Sequence, residues 1–255
     1  TGSHNLPEYN GLKVYTADGI LASAELTDQI ETRYREIEPT YDDTFLPQPE
    51  LVRRVDLKPS YLARLQSLID WDVIRRSGIE VAVDPLFGSA REYLDHILLE
   101  NDVPVTVIHN TRDPYFGGYA PDCTSENLSR LRDTMRRTGA QLGLATDGDG
   151  DRFFTIDNRG HFVSGDFLTA LMAQYYLEKY PGAKILYDVR ASWAVPDLIT
   201  AAGGTPLMER VGHAFIKAAI GMDLDFPVIT GLEQDVEDVR RCGEGRDLRQ
   251  ALSLL

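Results

Sequence analysis

Three aspartates alternate with two glycines in Asp147-Gly148-Asp149-Gly150-Asp151, and an arginine, Arg152, follows at once. Carboxylates at i, i+2 and i+4 can converge on one hard cation, because the glycines let the backbone bend sharply between them. Oxygen ligands suit Mg²⁺ or Ca²⁺, and three anions this close repel one another without a cation. An EF-hand is excluded: its sixth position would be Gly and is Arg152, and its twelfth would be Glu and is Asn158. The alternative, an Asp/Gly surface turn, leaves the clustering of charge unexplained, so the run is read as a metal loop.

A second candidate lies at the start, Thr1-Gly2-Ser3-His4-Asn5-Leu6-Pro7-Glu8-Tyr9-Asn10-Gly11-Leu12-Lys13. Its small, polar, turn-forming residues describe an exposed loop. Ser3 could act as a nucleophile or phosphate carrier, with His4 beside it and Lys13 supplying positive charge. Gly-Ser-His is also what a vector remnant looks like, and composition does not choose between the two. Arg190, in Asp188-Val189-Arg190, falls at the end of an apolar run. It could hold a phosphate bidentately or pair with one of the many acids. His96 and His161 read as structural or exposed.

These residues need elements to hold them. Ile79–Phe87, Val103–Asn110, Gln141–Asp147, Arg152–Asp157, Lys184–Arg190 and Phe226–Thr230 are short apolar runs with strand character. Helical periodicity lies between them. In Gly88–Leu99, Ala90, Tyr93, Leu94, Ile97 and Leu98 share one helix face, and Leu128 to Met135 and Leu168 to Leu177 behave similarly. Alternating strands and helices predict βαβ units with largely parallel sheets covered by helices. The metal loop then sits at the C-terminal end of a strand, where ligands gather in open α/β sheets.

Composition narrows the function. With 26 basic against 40 acidic side chains among 255 residues, the net charge is −14, which argues against nucleic acid or an anionic membrane as partner. At 43% hydrophobic and 26% charged, the chain reads as a soluble globular protein, and no apolar run is long enough for a membrane span. Cys123 and Cys242 are too few and too far apart for a disulfide framework or a zinc site, which predicts a reducing, cytoplasmic compartment.

Together, TGSHNLPEYNGLK and DGDGDR resemble the α-D-phosphohexomutase family, the phosphoglucomutases and phosphomannomutases. The family's phosphoserine loop, T-[AG]-S-H-N-P-x-x-Y-N-G-x-K, is departed from only at Leu6, and its metal loop is reproduced in full. The match decides against a vector remnant. VDPLFGSAREYL, HNTRDPYFGGYAPDCTSENL, YDVRASWAV and VGHAFIK extend the likeness from Thr1 to Lys217.

The resemblance implies consecutive three-layer α/β domains with mixed, largely parallel sheets: residues 1–50, 51–158 with the metal loop, and 159–255. It implies an intramolecular phosphotransferase that interconverts hexose 1- and 6-phosphates of glucose or mannose, with phosphoglucosamine mutase the nearest rival within the family. Ser3 would be the phosphoserine and a metal ligand beside Asp147, Asp149 and Asp151. Mg²⁺ would be the cofactor and a hexose 1,6-bisphosphate the intermediate. Lys13, His4 and Arg152 would serve acid–base and charge-stabilising roles, while His213, Arg190 and Glu233 would contact substrate. The sugar-recognition loop departs from the family's G-E-x-S-G: Gly231-Leu232-Glu233-Gln234 is followed by Asp235 and Val236. The absence of a fourth-domain sequence, with Thr1 in place of Met, leads us to expect an internal slice of a four-domain enzyme, weak or inactive by itself. A non-catalytic remnant that binds Mg²⁺ or sugar phosphate is the alternative from another class.

Overall fold

The computed structural model describes residues 12, 14–17, 22–41, 49–124 and 126–211. The chain divides into two compact units, one formed by Gly11–Ile69 and the other by Thr1–Asn10 with Asp70–Leu255.

In the smaller unit, α1 (Ala24–Ile37) starts at Ser23, whose hydroxyl accepts a hydrogen bond from the Leu26 amide at 3.3 Å. This satisfies one of the orphan donors of the first turn. Exposed pairs Arg35–Glu31 and Arg33–Glu36 lie along its surface, where such pairs contribute little. The stretch 38–59, which its prolines predict as a linker, carries short 3₁₀ turns at Glu38–Thr40 and Pro49–Leu51 before α2 (Lys58–Leu68) begins.

The larger unit carries the metal loop. It contains α3 (Trp71–Ser77), β1 (Val81–Asp84), α4 (Leu94–Glu100), β2 (Val105–Val107), α5 (Ser129–Thr138), β3 (Leu142–Thr146), β4 (Phe153–Ile156) and β5 (Phe162–Val163). Then follow α6 (Gly165–Lys179), β6 (Lys184–Asp188), α7 (Ala194–Ala201) and β7 (Thr205–Glu209). One five-stranded sheet runs β2-β1-β3-β4-β5, and β6 and β7 form a second. β1 is parallel to both β2 and β3, and β6 is parallel to β7; the β3–β4 and β4–β5 pairings are antiparallel. The architecture is mixed α/β with mostly parallel pairs, as the alternation of strands and helices predicts. The antiparallel half has a local cause: Asp147–Arg152 joins β3 directly to β4, and so short a connection can only reverse the chain.

β1, β2, β3, β4 and β6 are each shorter than their apolar runs, and β5 and β7 form outside those runs. β1 stops at Asp84 because its carboxylate caps the Leu86 amide at 2.8 Å and turns the chain. The helix predicted over Gly88–Leu99 forms only from Leu94. Its first turn is diverted: Arg91 folds back on the Phe87 and Gly88 carbonyls, and the Glu92 amide donates to Asn110 Oδ1 at 3.1 Å. Tertiary contact overrides periodicity there. Phe226–Thr230 lies outside the described residues.

The core of the first sheet gathers Ala82, Ala145, Phe154 and Ile156 from the strands against Leu128, Leu131 and Met135 from α5 and the turn before it. A second cluster packs Ala173 and Leu177 of α6 and Val195 and Ile199 of α7 on Ile185 and Tyr187 of β6. Gly139, with φ of 84°, closes α5 in the left-handed conformation that glycine adopts without strain. Cys123 is buried and free in the first core. Among the described residues no helix is long and apolar enough to cross a membrane.

Leu131 is fully buried where α5 meets the sheet. Leu131→Ala is expected to cost about 2–5 kcal/mol, the sum of lost transfer energy and a residual cavity, read by urea unfolding.

Candidate metal centre

The C-terminal ends of β1 and β3 lie side by side, with Asp84 paired to Ala145 in register. The metal loop leaves β3 at this edge. Ligand oxygens of Asp147, Asp149 and Asp151 lie within 4.8 Å of one another, with Asp147 buried, Asp149 half-buried and Asp151 exposed. Asp147 Oδ1 accepts hydrogen bonds from the Gly150 and Arg152 amides, both at 3.1 Å. Gly150 has φ of 76°, a conformation that a side chain would strain. So the loop is wound around its own first carboxylate, and the other two approach it. An all-oxygen donor set with one buried member fits a hard divalent cation.

Neighbouring loops brace this one. The Gly148 amide donates to the Pro121 carbonyl at 3.0 Å, while its own carbonyl takes the Ser89 amide. Gly88 packs so closely that a Cβ there would stand 2.6 Å from the Gly148 oxygen and 2.9 Å from the Asp147 oxygen.

Among the described residues, Arg152 is the cation paired closest to the aspartates. Its guanidinium lies 3.8 Å from Asp147 Oδ2 and 3.8 Å from Asp122 Oδ1, and its buried Nε has no hydrogen-bond partner. A buried donor without an acceptor is costly, and it marks where an anionic oxygen would be welcome. Cys123 sits in the same field. Burial first, then the charges of Asp147, Asp122 and Asp84, push its thiol far up.

A pair that sequence reasoning missed completes this edge. His109 Nδ1 lies 3.0 Å from both oxygens of the fully buried Asp84, and its ring stacks on Phe87 at 4.5 Å between centroids. The Phe87 amide in turn donates to the His109 carbonyl. The pair fixes the turn after β1, which backs Gly148. Its signal was a strand-end Asp and a strand-end His, recognisable only once β1 and β2 are known to be neighbours.

At the end of β6, Arg190 pairs with an aspartate two residues before it. Its Nη2 and Nε donate to Asp188 at 2.7 and 3.3 Å, and its amide donates to the same carboxylate at 2.8 Å. Asp166, at the start of α6, accepts from the Ser192 amide at 3.3 Å. Burial, with some help from the charge of Asp188, raises the Asp166 carboxyl above its ordinary value, against the lowering hydrogen bonds from Ser192. Ser3, His4, Lys13, His213 and Glu233 lie outside the described residues.

Comparison with known proteins places these observations. Family models for phosphoglucomutase/phosphomannomutase match along the chain in order: alpha/beta/alpha domain I at residues 1–41, domain II at 59–160 and domain III at 164–235. Among curated relatives, a phosphomannomutase of Escherichia coli K12 is 33% identical over 228 residues, which is 85% of this chain and 48% of the relative. A probable phosphoglucosamine mutase of Methanopyrus kandleri is 32% identical over 222 residues, 86% of this chain and 48% of the relative. The chain thus spans about half the length of the curated relatives it matches. A putative phosphomannomutase from Thermus thermophilus superposes with a TM-score of 0.78 at 23% identity, over 99% of this chain and 61% of that one. A phosphoglucomutase/phosphomannomutase family protein from Burkholderia thailandensis gives 0.73 at 24% identity, over 100% and 57%. These two likenesses show the fold.

Two outcomes are expected from this geometry. Gly88→Ala drives a methyl group into backbone oxygens that cannot swing aside, so it should cost about 1–3 kcal/mol in urea unfolding. Asp166→Asn tests the raised carboxyl. Because the folded state binds this proton more tightly than the unfolded chain, Asp166 loses stability as pH climbs above its ordinary 3.8. Stability of wild type relative to Asp166→Asn should therefore be lower at about pH 7 than at about pH 4; the opposite slope contradicts the assignment.

Proposed function

Since the chain belongs to the phosphoglucomutase/phosphomannomutase family, we propose that it serves an intramolecular phosphotransferase that moves a phosphoryl group between the 1- and 6-oxygens of a hexose. The observation that carries the reading is the convergence of Asp147, Asp149 and Asp151 within 4.8 Å at a strand end. Glucose and mannose phosphates are the proposed substrates. The relative named as a probable phosphoglucosamine mutase keeps the amino sugar as the second reading. The division into segments 1–50, 51–158 and 159–255 belongs to the same proposal.

Bound by the three aspartates, Mg²⁺ would neutralise phosphoryl oxygens and lower the charge barrier to attack. The residues of the chain do the rest. Ser3 carries the phosphoryl group on Oγ. A sugar hydroxyl attacks the phosphorus, the new O–P bond forms, and the Oγ–P bond breaks. Lys13 or His4 takes the hydroxyl proton, which ends on the departing Ser3 oxygen. The bisphosphorylated hexose then turns end for end. The second transfer runs the first in reverse, with the other sugar oxygen leaving and taking up the Ser3 proton.

Arg152 suits the stabilising role, since its buried, unpartnered Nε already waits beside Asp147 for an oxygen acceptor. Arg190 reaches the task with its guanidinium engaged on Asp188. Together with His213 and Glu233 it is the proposed contact to the substrate. The acidic surface repels polyanions at long range, so neither nucleic acid nor an anionic membrane is proposed as partner.

Incubation with glucose 1,6-bisphosphate and Mg²⁺, followed by intact-mass measurement, tests the reading. One added phosphate is expected on wild type, none on Ser3→Ala, and labelling slowed about 10–100-fold in Asp151→Asn. No phosphate on wild type, or equal labelling of Ser3→Ala, contradicts it.

A further inference from the structure

A groove of about 420 Å³ opens beside α5 and the end of the edge strand β2, lined by Ile108, His109, Arg130, Asp133, Thr134 and Arg137. Its volume lies in the range of small-molecule sites. Its charge is at odds with the rest of the molecule. In a chain of net charge −14, two arginines face this groove with no carboxylate of the described residues paired to either. The one acid in the lining, Asp133, is held by Arg136 at 2.9 Å. Arg130 rests over the Tyr119 ring, 5.8 Å from its centroid, which orients the guanidinium without cancelling its charge.

Arg130 and Arg137 stand seven residues apart on one helix, so their α-carbons are about 10 Å apart along the axis. Two long side chains at that spacing can close on one group from both ends. His109 forms the facing wall. Its Nδ1 is committed to Asp84, which fixes the ring, and residues flanking Asp84 run into the turn that braces Gly148.

We propose that this groove is a binding site for a phosphate monoester dianion, separate from the metal loop. Guanidinium forks match phosphate oxygens bidentately, and two of them balance a dianion. The Ile108 side chain supplies an apolar wall for the organic part of the ester. The inference stands on α5 and β2, and does not rest on the mutase reading.

The test is a titration of the whole chain with inorganic phosphate in the presence of a chelator, followed by amide shifts in NMR at constant ionic strength. The chelator removes any phosphate held through a cation at the aspartates, so the two sites are read apart. Saturable shifts are expected at Ile108, His109, Arg130, Thr134 and Arg137. Affinity should fall about tenfold in Arg130→Gln and again in Arg137→Gln, and stay unchanged in Arg159→Gln, an exposed arginine on a distant turn. Both groove arginines are exposed, so the variants are expected to keep the wild-type fold. Shifts that do not saturate, shifts confined to other residues, or equal weakening by Arg159→Gln would overturn the proposal.

Discussion

Mutual repulsion among Asp147, Asp149 and Asp151 is the constraint around which this edge of the molecule is arranged. Unit charges about 4 Å apart repel by about 1 kcal/mol in water and by more where water is scarce. Asp147 is fully buried, so it sits on the costly side of that range. Two backbone amides of its own loop offset part of the repulsion, and the tight β3–β4 reversal keeps the other two carboxylates from drifting apart. The reversal needs a left-handed glycine at 150 and a neighbour without a Cβ at 88. The turn after β1 must in turn be held by Asp84 and His109. A divalent cation would relieve what remains.

Charge is organised in the same local way. The chain is strongly acidic, yet it places single cations locally: Arg152 beside the aspartates, and Arg130 and Arg137 along α5. Net charge governs long-range encounters and describes the outer surface. Local cations govern what binds within a few ångströms. At the end of β6, by contrast, Arg190 is committed to Asp188, and the nearby Asp166 is left with a raised carboxyl.

Much of this was legible in the sequence because the signals are local. The metal loop is six consecutive residues with ligand spacing written into them, and β1, β3, β4 and β6 stand out as apolar runs between helical periods. Two features were not legible, for physical reasons. Asp84 and His109 are distant along the chain and meet only through the parallel register of β1 and β2. Gly88–Tyr93 has good helical periodicity, but the Arg91 guanidinium occupies the Gly88 carbonyl and the Glu92 amide turns to Asn110 Oδ1, so the first intrahelical bond does not form. The strands shortened because their end residues cap turns. Arg190 has an aspartate two residues before it as its partner, a pairing that the local run of sequence allowed.

The central claim, that the aspartates of the β3–β4 loop form one divalent-cation site, is tested most directly by calorimetric titration with Mg²⁺. Asp149 and Asp151 are not buried, so each can be changed to Asn with the fold checked by circular dichroism. Wild type should bind one Mg²⁺ saturably, and Asp149→Asn should weaken that binding by about 10–100-fold. Absence of saturable binding in folded wild type, or equal affinity in folded Asp149→Asn, would contradict the account.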